Sequence, residues 1–260
     1  MRPRVLLLNP ERTILPKLEF LCSIGVSRSD LSAIVSQNPE LLNRSIKQNL
    51  IPHYHILKSI LVSDEKVIKC LKRLFKSSAV LSQNDFYVNL SLLRGLGMPQ
   101  SSSLSWALQI LLGLSQKTWE HKIEAYRRWG LSEEEISSIF RESPLSMGLS
   151  EKKIMCNMHF LVCKMGWQPA VVARVPIVLC YGLETRIMPR CSVVRVLLLK
   201  GLIKADIPIS SVLTSCEKCF LERFVIKYQD LVPQLLDVFQ GKMRLTELGF
   251  GFDNKSVIPD

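Results

Sequence analysis

Residues 16–35 read PKLEFLCSIGVSRSDLSAIV, and they contain one full cycle of a signal that recurs along the chain. Pro16 begins an apolar run, Gly25 ends it in a tight turn, and Ser27 begins a second run with Asp30 three residues later. Proline suits a first helical position because its missing N–H has no helical partner there, and the Ser and Asp resemble a capping box. The stretch therefore predicts a helix, a turn and a second helix.

The turn recurs at a nearly fixed spacing. Its positions are Gly25, Leu61, Gly97, Gly130, Gly166 and Gly201, which lie 36, 36, 33, 36 and 35 residues apart. Prolines that follow Asn38 and Ser143 add a short third helix to the unit. Such a period is typical of solenoids, in which each unit buries its apolar face against its neighbours. We therefore predict an all-α helical-repeat solenoid of about six to seven repeats of ~35 residues, each with two longer helices and one short helix.

The repeat predicts the domain organisation. It continues without interruption, which indicates one helical-repeat domain at 1–236 and a loosely ordered tail at 237–260. Eight cysteines without a signal peptide indicate a reducing compartment. Six of them lie in apolar helical runs and are expected to be small core residues. These six are Cys22, Cys70, Cys156, Cys163, Cys180 and Cys191.

The charge balance points to a polyanionic partner. Lys and Arg total 34 against 23 Asp and Glu, which gives a net charge of +11. A surplus of this size favours nucleic acid first and an anionic membrane surface second, and an inert basic surface is the alternative. No stretch reaches the roughly 18–20 uncharged apolar residues that a membrane span needs.

Two basic clusters are the candidate contacts to nucleic-acid phosphates. On a helix, the cations of 66–76 fall in one sector and the apolar residues in the opposite one. Residues 152–204 hold nine basic residues and a single acid, Glu184. The candidates are Lys66, Lys69, Lys72, Arg73 and Lys76 in the first cluster, and Arg174, Arg186, Arg190, Arg195, Lys200 and Lys204 in the second. A merely solvated face is the alternative for each. Phosphate contacts position a protein without selecting sequence.

The remaining motifs give no basis for catalysis. Cys216 and Cys219 form a lone CxxC, whereas a structural zinc site needs four ligands, so we predict packing residues there. The sequence has no Gly-rich phosphate loop and no recognisable nucleophile with a nearby base and acid. Aromatic residues at helical spacing, namely Trp106, Trp119, Tyr126, Trp129 and Trp167, are expected to be core rather than base-stacking. We predict no enzyme activity, no cofactor and no metal.

Three stretches resemble a known family, and one of them is 153–169, KIMCNMHFLVCKMGWQP. Residues 119–144, WEHKIEAYRRWGLSEEEISSIFRESP, are similar to a repeat of the plant mitochondrial transcription termination factor (mTERF) family. The run 181–190, YGLETRIMPR, followed by LKGLI at 199–203, is the most specific part of the resemblance. The similarity extends over roughly residues 5 to 235. Met1 falls almost directly on the first repeat, so this sequence as written has no convincing transit peptide.

The resemblance implies a curved all-α superhelix that binds nucleic acid, usually duplex DNA, in mitochondria or plastids. Family members act in organellar transcription, including termination, and some plant members act on organellar RNA. We therefore predict a monomeric, non-catalytic nucleic-acid-binding regulator with duplex DNA favoured over RNA, in the mitochondrion first and the chloroplast second. An organellar RNA-processing or splicing factor, and a protein-interaction scaffold that binds no nucleic acid, stay open as alternatives.

Overall fold

The computed structural model describes residues 7–61, 63–76, 83–95, 102–111 and 114–252. At 73–76, 83–86, 102, 103, 105 and 109 it describes the backbone alone. Every regular element within these ranges is helical. The chain forms two compact units, Met1–Trp119 and Glu120–Asp260.

The first unit is built from pairs of helices. They are α1 (Leu15–Ser23), α2 (Arg28–Gln37), α3 (Ile51–Leu61), α4 (Asp64–Lys76), α5 (Gln83–Gly95) and α6 (Ser102–Leu111), and α7 (Gln116–Arg127) contains the boundary between the units. Single π-helical turns, Pro10–Ile14 and Ile46–Leu50, lead directly into α1 and α3, and a 3-10 turn, Pro39–Asn43, follows α2. The core includes Leu21, Ile34 and Leu57, which are fully buried.

The second unit continues the same alternation with shorter elements. Its helices are α8 (Glu133–Glu142), α9 (Pro144–Met147), α10 (Glu151–His159), α11 (Pro169–Ala173), α12 (Met188–Leu199), α13 (Ile209–Leu213), α14 (Glu217–Phe220) and α15 (Leu235–Phe239). Between them lie π-helical turns at Phe160–Lys164, Leu183–Ile187 and Leu221–Val225 and 3-10 turns at Pro176–Cys180 and Ile226–Tyr228, and a 3-10 turn at Leu245–Leu248 follows α15. Phe140, Leu161 and Val178 lie in its core.

The glycine turns end the first helix of four repeats as predicted. Gly25, Gly130, Gly166 and Gly201 all have positive φ, between 67° and 96°. After α1, the Val26 N–H donates to the Leu21 carbonyl at 3.0 Å, which is the six-to-one bond of a Schellman motif. The φ of +96° favours glycine at Gly25, and a Cβ there would lie 2.9 Å from Ile68 Cδ1 and make the end of that side chain shift. Gly97 lies outside the described residues.

The predicted caps and third helices are present. Ser132 and Glu135 form a reciprocal capping box at the start of α8, and the Ser27 side chain accepts from the Asp30 N–H. The third element appears as Pro39–Asn43, Pro144–Met147 and Pro176–Cys180. Each follows a residue with φ between −130° and −144°, because proline excludes the α conformation from the residue before it.

Burial of the aromatic residues largely follows the prediction. Tyr126, Trp119 and Trp167 are buried, and Trp129 is half-buried with its indole N–H donating to Met155 Sδ. Trp106 is 41% exposed.

The cysteine prediction is correct only in part. Cys70 and Cys191 are buried, and Cys180 is half-buried. Cys22, Cys156 and Cys163 are exposed, so their assignment to the core was wrong. Each lies in an apolar run but on the solvent side of its helix, as Cys22 does beside the fully buried Leu21.

The segment predicted as a loose tail begins inside α15. Leu245 is buried, and the Phe252 ring meets Phe160 edge-on with centroids 5.0 Å apart. Residues 237–252 therefore include side chains that pack on the second unit, and 253–260 lie outside the described residues.

Candidate nucleic-acid interface

The exposed side of α4 carries the first predicted cluster. Lys66 and Lys69 are exposed, while Val67, Cys70 and Leu71 on the opposite side are buried. The helix is therefore amphipathic as predicted, with an apolar side in the core and lysines toward solvent. The side chains of Arg73 and Lys76 lie outside the described residues.

Lys72 differs from the other α4 lysines because it has an acidic neighbour on α2. Its Nζ lies 2.6 Å from Asp30 Oδ2, and both side chains are about 30% exposed. The partner of Lys72 is not an acid of α4, so the sequence of that helix alone did not predict the pair. The acid comes from the first turn of the preceding repeat's second helix, which sequence spacing within α4 does not reveal.

In the second cluster, Arg190 and Arg195 lie in the protein interior. Each is 2% exposed, and burial lowers the pKa of both guanidinium groups. A phosphate cannot reach either side chain without displacing the core around α12. We therefore exclude both residues from the candidate interface.

Arg186 and Arg190 hydrogen-bond to the chain itself. Arg186 donates to the carbonyls of Leu213 and Ser215 at 3.0 and 2.9 Å. Arg190 donates to the carbonyls of Val212 and Ser215 at 3.0 and 2.8 Å. Their guanidinium groups also stack on aromatic rings, with Arg186 4.3 Å from the Tyr181 centroid and Arg190 4.8 Å from that of Phe220.

This bonding is part of a recurring arrangement, which we call the repeat clasp. In three successive repeats, two residues four positions apart, on the first helix or on the π-helical turn that leads into it, donate to backbone carbonyls near the end of the same repeat. The donor pairs are Lys122 and Tyr126, Lys153 and Asn157, and Arg186 and Arg190. Residues four apart share one helix face, so each pair acts on one neighbouring segment.

In the middle repeat of the three, the acceptors of the clasp are carbonyls at the end of a short helical turn. Asn157 Nδ2 donates to Leu179 and Tyr181 at 2.9 and 3.1 Å, and Lys153 Nζ donates to Cys180 at 2.7 Å. These carbonyls lie at the end of the 3-10 turn Pro176–Cys180, where the last turn of a helix leaves its acceptors unpaired. The clasp therefore compensates for the cost of burying them.

The first unit contains single donors of the same kind. Lys17 Nζ donates to the Leu42 carbonyl, and Asn89 Nδ2 donates to those of Leu111 and Leu114 at 2.7 and 2.9 Å. Lys17 is 5% exposed, and burial lowers its pKa.

Sequence reasoning missed the clasp, although a signal was present. Lys17, His53 and Arg190 each follow the proline that begins a first helix, and the structure buries all three. A polar residue that recurs at one position of an apolar repeat indicates a structural donor rather than a surface charge.

Three predicted cations of the second cluster remain exposed. They are Arg174, Lys200 and Lys204. Lys200 lies 5.9 Å from the Phe250 ring centroid, which places it beside the C-terminal segment. Arg174 lines an open cavity of about 270 Å³ with Arg141, Glu134 and Glu135. Arg141, which the sequence did not single out, therefore shares a surface with Arg174.

Comparison with a family model identifies the chain. Two consecutive matches to the model described as mTERF cover residues 1–106 and 107–221. The chain belongs to the mTERF family. The resemblance predicted from 119–144 and 181–203 is confirmed, and so is the all-α helical-repeat fold class, because the family is a helical-repeat fold.

Two curated mTERF relatives come from Arabidopsis thaliana. The chain is 25% identical to "Transcription termination factor MTERF15, mitochondrial", with 88% of this chain and 51% of the relative aligned. It is 22% identical to "Transcription termination factor MTEF18, mitochondrial", with 82% of this chain and 48% of the relative aligned. The chain spans about half the length of these relatives. Within its described residues, no helix is both long and apolar enough to cross a membrane.

Proposed function

We propose that this mTERF chain is a non-catalytic nucleic-acid-binding regulator of organellar gene expression that acts in transcription termination. The observation that carries the proposal is the pair of family matches, which together extend over residues 1–221. The names of both relatives, which are mitochondrial transcription termination factors, support a place in mitochondrial transcription. The net charge of +11 suits a polyanionic partner.

Exposed cations are the proposed phosphate contacts. From the predicted set we retain Lys66, Lys69, Arg174, Lys200 and Lys204, and Arg73 and Lys76 stay predictions outside the described side chains. Lys72 belongs to the same helix but shares its charge with Asp30. We assign Arg186 and Arg190 to the repeat clasp, because their donors already satisfy carbonyls of the chain.

Duplex DNA is the proposed ligand and the chain is proposed to bind it as a monomer. The ammonium group of a lysine is a compact point charge, so the exposed lysines of α4 suit contacts to phosphates. Such contacts fix the position of the protein on the duplex and do not select a base sequence. Binding of this kind depends steeply on salt, since each neutralised phosphate of B-DNA contributes about −0.9 to the slope of log K against log salt.

Fluorescence anisotropy of the full chain tests the proposal. Labelled oligonucleotides of about 25 bases, as duplex DNA and as single-stranded RNA, are titrated over a salt series. We expect tighter binding to the duplex, with a slope equivalent to several phosphates. Tighter binding to RNA than to the duplex would favour a function in transcript processing instead. Absence of binding to either ligand, by a sample whose circular dichroism is helical, would contradict the proposal and favour a protein-interaction scaffold.

A further inference from the structure

Two thiols that the sequence assigned to packing are exposed and adjacent. Cys216 and Cys219 flank the first residues of α14, and both side chains are exposed, so the packing prediction was wrong. Their Sγ atoms lie 2.8 Å apart. The CxxC spacing at the start of a helix brings the two side chains together because the first residue is the N-cap and the second lies one turn later.

Hydrogen bonds from one backbone N–H and from two arginine side chains hold the thiol pair and the residue before it in place. Cys216 Sγ accepts a hydrogen bond from the Cys219 N–H at 3.2 Å. The preceding residue, Ser215, accepts from both Arg186 and Arg190 at its carbonyl. The last repeat clasp therefore fixes the residue next to the thiol pair, so the two sulfurs meet without a rearrangement of the chain.

We propose that Cys216 and Cys219 form a reversible redox site that exchanges two electrons with low-molecular-weight disulfides of the glutathione class. The site goes beyond the proposed nucleic-acid function and does not depend on it. A structural metal would need further ligands, and among the described residues no group of three or more His, Cys, Asp or Glu side chains is placed to hold one.

The exchange proceeds in two balanced steps. The Cys216 thiolate attacks one sulfur of the small disulfide, which forms a mixed disulfide and releases one thiolate that takes up a proton. Cys219 then loses its proton and attacks Cys216 Sγ, which forms the intramolecular disulfide and releases the second small thiol. The protein loses two electrons and two protons, and the small disulfide gains both as two thiols.

The order of attack follows from the hydrogen bonds at the two sulfurs. The contact with the Cys219 thiol, and the hydrogen bond that the Cys219 N–H donates to Cys216 Sγ, lower the pKa of Cys216 below its usual range. The same contact with Cys216 raises the pKa of Cys219. Cys216 is therefore the attacking thiol and Cys219 the resolving one.

Trypsin provides a direct readout, because Lys218 lies between the two cysteines. Cleavage after Lys218 separates peptides 205–218 and 219–223, and only a Cys216–Cys219 disulfide keeps them joined. The full chain is equilibrated with reduced and oxidised glutathione at several ratios, its free thiols are alkylated, and the digest is analysed by mass spectrometry. We expect the joined peptide to predominate in oxidised glutathione and to disappear in excess reduced glutathione.

Variants separate the two roles. Cys219→Ser should accumulate a glutathione adduct on Cys216, and Cys216→Ser should form an adduct on Cys219 at least about tenfold more slowly. The matched control, Cys156→Ser with Cys163→Ser, removes two other exposed thiols of the same unit and should leave the joined peptide unchanged. Equal adduct rates in the two single variants, or no joined peptide at any glutathione ratio from a helical sample, would overturn the proposal. Neither outcome depends on nucleic-acid binding.

Discussion

Helices α4 and α12 both carry several cations, and they use them in opposite ways. On α4 the charges occupy one side, with Lys66 and Lys69 toward solvent and Val67 in the core. On α12 the arginines lie among buried residues on every side, and both Arg190 and Arg195 are interior. A helix that is apolar all round is buried, so a cation within it becomes part of the core.

The difference teaches that the neighbours of a basic residue decide its role more than the local density of charge does. The run 188–199, MPRCSVVRVLLL, has no polar face on which a phosphate could rest. Its first arginine donates to the buried carbonyl of Val212 and, together with Arg186, to that of Ser215. The run 64–76 has such a face, on which Lys66 and Lys69 are exposed.

The largest expected effect is the loss of stability when α12 loses its clasp donor. Arg190→Met should lower the free energy of unfolding by about 3 kcal/mol, because the buried carbonyl of Val212 loses its charged donor and the Ser215 carbonyl keeps only Arg186. Lys66→Met on α4 should cost less than about 0.5 kcal/mol. Urea denaturation followed by circular dichroism measures both, and similar costs for the two variants would remove the distinction between the helices.

A pH titration tests whether His53, the residue after the proline of α3, is a buried polar residue as Arg190 is on α12. Burial, with a contribution from Arg44, lowers its pKa from 6.5 to about 4. The unfolded chain therefore binds a proton below pH 6.5 that the folded chain takes up only near pH 4. The stability associated with neutral His53 is complete above pH 6.5 and decreases as the pH falls toward 4.

The expected loss across this window is about 2 kcal/mol after reduction for partial solvent screening. Urea midpoints measured from pH 7.5 to 4.5 should show it in the parent chain, and His53→Gln should flatten that part of the curve. His55→Gln, on the exposed side of the same helix, is the control. A curve that keeps its slope without His53 would show that another group titrates there.

Two adjacent lysines of α10 provide a smaller and closely matched test. Lys153 donates to the Cys180 carbonyl, whereas Lys152 is exposed. Lys153→Met should cost about 1 kcal/mol of unfolding free energy, and Lys152→Met should be within about 0.5 kcal/mol of the parent chain. Thermal or urea midpoints compare them directly, and the reverse order would contradict the assignment of Lys153 to the clasp.

The smallest effect concerns the acid beside α4. Asp30→Asn removes the partner of Lys72 and should cost about 0.5 kcal/mol of stability, because the pair is partly exposed. The same change should raise duplex affinity by about twofold at low salt, since Lys72 then presents its full charge. Glu19→Gln changes the net charge equally on an exposed part of α1. An equal gain from Glu19→Gln would attribute the effect to net charge alone.

The repeat architecture could be predicted from the sequence because local rules fix where each helix begins and ends. Gly25 needs a left-handed backbone, Ser132 caps α8, and Pro144 begins a short helix, and each rule acts within a few residues. The amphipathic side of α4 followed from helical period alone in the same way.

The division of the cations could not be predicted from the same rules. The Asp30–Lys72 pair joins residues 42 positions apart, and Arg190 reaches carbonyls 22 to 25 residues later. Such contacts depend on how one repeat packs on the next, which local spacing does not encode. The exposed thiols of Cys216 and Cys219 belong to the same class, because their exposure is decided by the orientation of α14.

The most direct test of the account is the salt dependence of duplex binding in two matched variants. Lys66→Gln with Lys69→Gln removes two exposed charges from α4, and Lys117→Gln with Lys242→Gln removes two exposed charges elsewhere. We expect the log–log slope to become shallower by nearly two units in the first variant, at about 0.9 for each lost phosphate contact, and to stay unchanged in the second. Identical slopes in the two variants would contradict the assignment of α4 to the nucleic-acid interface.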